Sequence, residues 1–335
     1  MSIQNILLLN FGGPTGGAEV QDFLYQLFRD RVGIRLGLPG FLQEGLAKII
    51  SRRRAPSIID KYQEIGGGSP LVPVTQALAK KLQNRLNGCR VKVGMRYTAP
   101  WIEDTVLSYA RENVRDVFVL PLYPQDSLAT TGTAVFALRQ AAADLDFPLN
   151  PRILNAWYDD PGFLKLMGTQ ILNEILRVPD HLDPTLLFCA HSIPESYLQE
   201  GDPYKEQVED YVSLLIRQIR WKSEAKICYQ SKVGPAKWIG PSISEILNSY
   251  RGQDSRALII VPISFVGDHI ETLHEIDIEY AAVAKDLGIE WFSRVGCFNA
   301  SDEFAQVLAE MIERNLNNSP QHHGGFIRRD FPPRM

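Results

Sequence analysis

The chain reads as an α/β protein made of two similar halves, each a doubly wound parallel sheet of about four strands flanked by helices. Three observations predict this. Short apolar, β-rich runs alternate with helix-like stretches, the pattern of parallel strands joined by crossover helices. Four features recur in the same order in each half of the chain. A length of 335 residues also suits two domains of ordinary size, each able to bury its own core.

The first strand, Ile6-Leu7-Leu8-Leu9-Asn10 with Pro14 after it, matches Leu186-Leu187-Phe188-Cys189-Ala190-His191 with Pro194 after it. The second, residues 91–97 followed by Pro100 and Trp101, matches residues 226–232 followed by Pro235 and Trp238. The third, Val117-Phe118-Val119-Leu120-Pro121, matches Leu258-Ile259-Ile260-Val261-Pro262. The fourth, Arg152-Ile153-Leu154 with Asp160 and Phe163 beyond it, matches Phe292-Ser293-Arg294-Val295 with Asp302 and Phe304 beyond it. The expected division is a first domain at 1–150, a second at 151–312 and a C-terminal segment at 313–335.

The halves differ in one respect. About eighty residues separate the first two strands of the first half, against about thirty-five in the second, so the first half carries an insertion at about 16–85. Its front part, Val32-Gly33-Ile34-Arg35-Leu36-Gly37-Leu38-Pro39-Gly40-Phe41-Leu42, is unusually apolar for a loop, and a helix is expected to follow as far as Ile50. Such a stretch either packs on the core or meets a hydrophobic ligand or a membrane surface. Next come Arg52-Arg53-Arg54-Ala55-Pro56, Tyr62 and Gly66-Gly67-Gly68-Ser69-Pro70. Guanidinium groups beside a Gly-rich turn suit a carboxylate ligand, although three arginines in a row are also an ordinary solvated surface. The turn lacks the spacing of a phosphate loop.

Composition narrows the classes. A hydrophobic content of 45% with 22% charged residues is that of a soluble globular chain, and a formal net charge of -4 offers nothing to a nucleic acid. Of the four cysteines, Cys89, Cys189 and Cys228 lie inside apolar strand-like runs and Cys297 stands apart, which argues against a disulfide framework and for a reducing compartment. The start, Met1-Ser2-Ile3-Gln4-Asn5, has no basic region of a secretory signal. No apolar run approaches the roughly 18 residues of a membrane span. A cytoplasmic protein is expected.

Two motifs carry chemistry. His191 sits where an apolar strand opens into a turn, and Glu271, Glu275 and Glu279 follow one another at four-residue spacing. On an α-helix that spacing keeps the carboxylates on one slowly drifting face, where they repel. A divalent cation would remove the repulsion, and a histidine with carboxylates is a suitable set for ferrous iron. The plainer reading is a solvated acidic face and a turn histidine. Functional loops of such sheets gather at the carboxyl ends of the strands. His191, Arg96, Tyr97, Tyr123 and Asp268 all fall at predicted strand ends and can converge there.

Taken together, the motifs make the chain resemble the ferrochelatases over residues 6 to about 312. The resemblance rests on Leu9-Asn10-Phe11-Gly12-Gly13-Pro14, Gly66-Gly67-Gly68-Ser69-Pro70-Leu71, Met95-Arg96-Tyr97, and Tyr123-Pro124-Gln125 with Thr130-Thr131-Gly132. It rests also on Ala190-His191-Ser192-Ile193-Pro194 with Gly201-Asp202-Pro203-Tyr204, Gln230-Ser231-Lys232-Val233-Gly234-Pro235 with Trp238, and Asp268-His269-Ile270-Glu271-Thr272. It implies two Rossmann-like domains, with the C-terminal segment packed back on the first, and insertion of Fe²⁺ into protoporphyrin IX with release of two protons. By the same resemblance His191 and Glu271 are the iron-binding and catalytic pair, and Glu275 and Glu279 continue an acidic path. Asp268 and His269 support the histidine side. Arg54, Tyr62, Ser69 and Lys232 meet or border the propionates, while Phe11, Arg96, Tyr97, Tyr123 and Trp238 line the porphyrin faces.

Some relatives carry a [2Fe–2S] cluster on one mid-chain and three C-terminal cysteines. Here the mid-chain position is Leu128 and the tail has no cysteine, so no cluster and no tightly bound cofactor are expected, Fe²⁺ being substrate. A monomer or weak homodimer is expected, without a nucleic-acid partner and with peripheral membrane contact through about 32–50. A ferrochelatase acting on coproporphyrin III and a non-catalytic porphyrin carrier are the alternatives. The former prefers a more polar ring, against the apolar lip at 32–42; the latter has no need of His191 and Glu271.

Overall fold

In the computed structural model, residues 4–35, 38–232, 234, 236–253 and 256–317 are described. The strands β1 (Gln4–Asn10), β2 (Cys89–Met95), β3 (Asp116–Pro121) and β4 (Asn150–Ile153) form one parallel sheet in the order β2-β1-β3-β4. The strands β5 (Asp183–His191), β6 (Ala225–Gln230), β7 (Arg256–Pro262) and β8 (Trp291–Arg294) form a second, in the equivalent order β6-β5-β7-β8. All eight strands fall on the eight runs of the internal repeat. The boundary expected at residue 150 cuts β4, whose pairing of Val119 with Ile153 keeps it in the first sheet.

Among the described residues, α-helices connect the strands and follow the last of them. The insertion holds α1 (Val20–Arg29), α2 (Gly40–Glu64) and α3 (Leu71–Arg85). Beyond it lie α4 (Ile102–Arg111), α5 (Thr133–Asp144), α6 (Pro161–Ile175), α7 (Glu195–Gln199), α8 (Tyr204–Ile219), α9 (Ile243–Ser249), α10 (Ala281–Asp286) and α11 (Asp302–Asn317). Side chains alternate across each strand, which settles the layers. Leu7 and Leu9 of β1 pack with Val106 of α4 and Leu138 of α5. Ile6 and Leu8 join the central core, which includes Leu82 of α3, Phe163 of α6, Tyr211 of α8, Leu308 of α11 and, from the second sheet, Leu186 and Phe188. On the far side Leu187 and Cys189 pack with Leu247 of α9 and Ala284 of α10.

Local chemistry sets several helix ends. Asp160 caps α6, its carboxylate accepting from the N–H groups of Gly162 at 2.9 Å and Phe163 at 3.1 Å with Pro161 in the first turn. The same carboxylate pairs with Arg314 of α11. At its start α11 meets α3 through Asp302, which pairs with Lys81 at 3.2 Å and Arg85 at 2.7 Å. The chain after the second sheet thus returns to a helix of the insertion, as far as Asn317; His322 and His323 lie outside the described residues.

Helix α2 overturns the expected stop at Ile50. It continues through Arg52, Arg53, Arg54 and Pro56 to Glu64. Proline removes one backbone bond of a helix, and the packing of Ala47, Ala55 and Tyr62 against Phe23 and Phe28 of α1 holds the two sides in line. Among the described residues no helix is long and apolar enough to cross a membrane.

The halves are joined by buried polar bonds after β3. Gln125 Nε2 donates to the Ile263 carbonyl at 3.0 Å, and the Asp126 N–H donates to Gln207 Oε1 at 2.7 Å. Asp202 accepts from Ser127 Oγ at 2.9 Å and from the Leu128 N–H at 2.8 Å. Buried bonds of this kind fix orientation, because breaking one strands a desolvated partner.

Candidate active site

His191 is the last residue of β5, and its backbone is held where the strand ends. The Tyr204 hydroxyl donates to the His191 carbonyl at 2.9 Å and meets the Ser264 hydroxyl at 2.6 Å. Its ring nitrogen Nδ1 lies 2.8 Å from Glu271 Oε2, and His269 Nε2 lies 3.8 Å from the same oxygen. The Phe265 ring stands edge-on to His191 and 4.3 Å from the His269 ring. Burial works against a charged imidazole, but the Glu271 carboxylate overrides it with help from Glu275, so His191 titrates above its ordinary value. Burial likewise resists ionisation of Glu271, and the two histidines override it, holding that carboxyl well below its usual range.

The acidic stretch is not an α-helix. Residues Glu271–Tyr280 form ten residues of π-helix, with backbone bonds reaching one residue further than in an α-helix. π-Helical backbone is rare, mostly confined to single turns, and frequent at functional sites. The repulsion expected among the three glutamates is met by a separate partner for each. Glu271 has His191. Glu275 accepts from the Ser231 N–H at 3.2 Å and Oγ at 2.5 Å, from Gln230 Nε2 at 3.3 Å and from the Tyr280 hydroxyl at 3.2 Å. Glu279 receives Lys61 Nζ from α2 at 2.6 Å and lies 3.6 Å from His274 Nδ1, while the other nitrogen of that ring is 3.2 Å from Glu64. Burial, and next the charge of Glu271, push Glu275 above the usual carboxylate range, so it holds a proton more readily than an exposed glutamate.

Asp268 does not bond to a histidine. Its carboxylate accepts from Thr272 Oγ1 at 3.0 Å and Asn299 Nδ2 at 2.7 Å, and pairs with Arg294 at 3.1 Å. Arg294 reaches on to Asp277 with two bonds of 2.7 Å. Asp268 therefore anchors the start of the π-helix to the loop after β8. His269, whose Nδ1 is buried without a hydrogen-bond partner among the described residues, is the nearer support for Glu271.

Facing this pair is an apolar cluster that joins both halves: Phe11, Phe23, Tyr62 and Tyr97 from the first, and Ile270, next to Glu271, from the second. The Phe11 and Tyr97 rings meet edge to face at 4.6 Å. Arg96 lies over the Tyr97 ring at 4.9 Å and pairs with Asp30 at 2.9 Å. Tyr62 is buried here, with burial and then the Glu271 charge raising its hydroxyl pKa, so it stands close to the start of the acidic line. Tyr123 is also buried, at the end of β3. Ser69 is buried too, its Oγ accepting from the Leu71 N–H at 3.3 Å. The Gly-rich turn before it serves close backbone approach: a Cβ on Gly68 would fall 2.3 Å from the Thr15 carbonyl oxygen.

Trp238 pairs in an isolated bridge with Pro194, and Ile239 donates its N–H to the Ile193 carbonyl at 3.0 Å, so that tryptophan borders the His191 turn. Arg54 and Lys232 are not drawn into this constellation. Arg54 is exposed on α2 over the Phe28 ring, and Lys232 is exposed near Glu245. The supporting residues Asp30, Lys61, Gln230, Ser231, Tyr204, His274, Arg294 and Asn299 were given no role from the sequence. Gln230, Ser231 and Tyr204 had a usable signal, standing within the motifs that carry the resemblance; Asp30 and Lys61 had none.

The Ferrochelatase family model matches residues 4–316. A ferrochelatase of a Synechocystis species is 39% identical over 326 residues, covering 94% of this chain and 83% of that protein. A ferrochelatase of Gloeobacter violaceus is 39% identical over 323 residues, covering 94% and 98%. Among solved structures, SirB from Bacillus subtilis with Fe³⁺ superposes with a TM-score of 0.58 at 12% identity, covering 95% of this chain and 97% of that one. CbiX, described as the terminal enzyme of siroheme biosynthesis in denitrifying bacteria, superposes at 0.52 and 14% identity, covering 93% and 99%. The structural likeness concerns the fold alone.

Proposed function

The chain belongs to the ferrochelatase family, and from that premise we propose that it inserts Fe²⁺ into protoporphyrin IX, with His191 as the base and Glu271 as its partner. The observation that carries this reading is the 2.8 Å contact of His191 Nδ1 with Glu271 Oε2, set beside an apolar cluster shared by both halves.

A porphyrin is metallated only after two pyrrole N–H protons leave, so the site requires a base and a way out for protons. An ionised Glu271 can only accept, which places the imidazole hydrogen on Nδ1 and leaves the Nε2 lone pair as the basic position. The carboxylate also stabilises the imidazolium once a pyrrole proton arrives, which supports general-base catalysis near neutral pH. The two protons released pass outward along Glu271, Glu275 and Glu279. The raised affinity of Glu275 for a proton, and the Lys61 ammonium already neutralising Glu279, favour proton traffic over metal delivery on this line. Phe11, Arg96, Tyr97 and Trp238 are assigned to the ring faces. An apolar slot of this kind can hold the ring bent toward the metallated geometry.

The apolar lip favours protoporphyrin over the more polar coproporphyrin III. Exposed Phe41, Leu42 and Ile49 on α2, next to exposed Arg52 and Arg53, further support peripheral contact with an anionic membrane surface. The test is anaerobic mixing of the purified protein with Fe²⁺ and each porphyrin while the visible spectrum is followed. Haem formed from protoporphyrin supports the proposal. Turnover with coproporphyrin alone overturns the substrate, and tight porphyrin binding without metallation of either ring overturns the roles of His191 and Glu271.

A further inference from the structure

The insertion does more than cover the strand ends. At its bend sits Asp30, directly after α1, with a side chain only 2% exposed. One of its carboxylate oxygens accepts from the Tyr97 hydroxyl at 2.6 Å, pairs with Arg96 at 2.9 Å and accepts from the Thr133 hydroxyl. The other accepts from the backbone N–H groups of Val32 at 2.8 Å and Gly33 at 3.2 Å, the first residues of the lip. Gly33 permits this approach, since a Cβ there would stand 3.0 Å from the Tyr97 hydroxyl oxygen and 3.2 Å from Asp30 Oδ2. A buried carboxylate with five donors is a rigid node, because each donor would otherwise be stranded without water.

The lip then crosses to the second half. Tyr197 of α7 donates its hydroxyl to the Gly33 carbonyl at 3.0 Å. Arg35 lies over the Tyr197 ring at 5.4 Å and pairs with Glu200. One continuous run of bonds therefore links the residues at the ring face, Arg96 and Tyr97, to Asp30, to the lip, and to the half that carries His191.

We propose that Asp30 is a positioning residue that ties the placement of Arg96 and Tyr97 against the porphyrin face to the backbone of Val32 and Gly33, with Tyr197 and the Arg35–Glu200 pair fastening that segment to the opposite half. It touches neither ring nor metal. Its carboxylate holds the arginine and the tyrosine in one arrangement, and its second oxygen holds the backbone of Val32 and Gly33 against them. The inference rests on the proposed porphyrin reading.

The test uses the full chain with Zn²⁺ and protoporphyrin IX, followed by fluorescence, together with resonance Raman spectra of the bound ring. In Asp30→Asn the porphyrin KM rises about tenfold, more than kcat falls, and the out-of-plane Raman bands of the ring weaken. A variant that merely lost folded protein would lower kcat while leaving KM and the bound-ring spectrum alone. Tyr97→Phe keeps the ring and removes one donor, and shifts KM and the Raman bands in the same direction by a smaller amount. It alone decides the matter if Asp30→Asn does not fold by circular dichroism. Arg35→Gln removes the pair with Glu200 that fastens this segment and speeds porphyrin release several-fold. Wild-type KM and Raman bands in Tyr97→Phe and in folded Asp30→Asn overturn the coupling. A wild-type chain that neither binds nor metallates the porphyrin overturns the functional reading instead.

Discussion

Replacing Glu271 by Gln removes one charge from the site while keeping the shape of the side chain. The perturbed group is His191, whose Nδ1 is 2.8 Å from the Glu271 carboxylate and whose side chain is 33% exposed. Two unit charges about 4 Å apart interact by about 1 kcal/mol in water and about 4 kcal/mol at an effective dielectric near 20. A partly open pair falls between those limits, which is enough to move the titration of the histidine measurably. The direction is downward: Glu271 is what lifts His191, and once it is gone the burial that disfavours the imidazolium dominates. The measurement is ring NMR of the porphyrin-free protein through a pH titration, with the spectrum of His191→Ala identifying the resonance among the six histidines. Any residual activity of Glu271→Gln should show its acidic limb at correspondingly lower pH, because neutral His191 is the form that accepts a proton. The stability signs follow from the two shifts. The raised histidine contributes stability below its ordinary value of 6.5 and loses it as pH rises through its folded value; the lowered glutamate contributes above its ordinary 4.5 and loses it as pH falls. The difference in thermal stability between the wild type and Glu271→Gln is therefore widest between about pH 4.5 and 6.5. An identical His191 titration in both proteins would refute the reasoning.

Three further outcomes are expected. His191→Ala abolishes metallation while porphyrin fluorescence still reports binding; an active variant would remove His191 from the mechanism. Phe163, fully buried between Trp157 at 4.7 Å and Tyr211 at 5.7 Å, loses about 3–5 kcal/mol of stability on replacement by Ala in urea unfolding. A loss below about 1 kcal/mol would mean that the central layer is not the cooperative core. Phe41→Asp places a charge on an exposed apolar position, so binding to anionic phospholipid vesicles falls several-fold in a co-sedimentation assay, and unchanged binding excludes this face as the membrane contact.

The repeat and its strands were legible because parallel strands covered on both faces leave continuous apolar runs in the sequence, whereas the order of the strands in each sheet was not. Leu258-Ile259-Ile260-Val261-Pro262 requires no distant information to read as β7. The His191 turn and the spacing of Glu271, Glu275 and Glu279 were legible for the same reason, each being a local pattern of residue types. The end of helix α2 was not legible because its continuation past Ile50 and through Pro56 comes from packing on α1. The partners of Asp268, Arg294 and Asn299, were not legible because they lie far along the chain.

The sequence by itself thus determined the layered fold, the histidine and the acidic line, since these depend on periodicity and on what each residue type can do. Tertiary structure alone decided that the acidic line is a π-helix. The two ladders differ by one residue in hydrogen-bond reach, and the carboxylates along this one are held by groups from other elements: Ser231 from beyond β6, Lys61 from the insertion, and Arg294 from β8. It also decided which side chain serves as the node of the insertion. Asp30 is one aspartate among many until folding brings five donors to a single buried carboxylate.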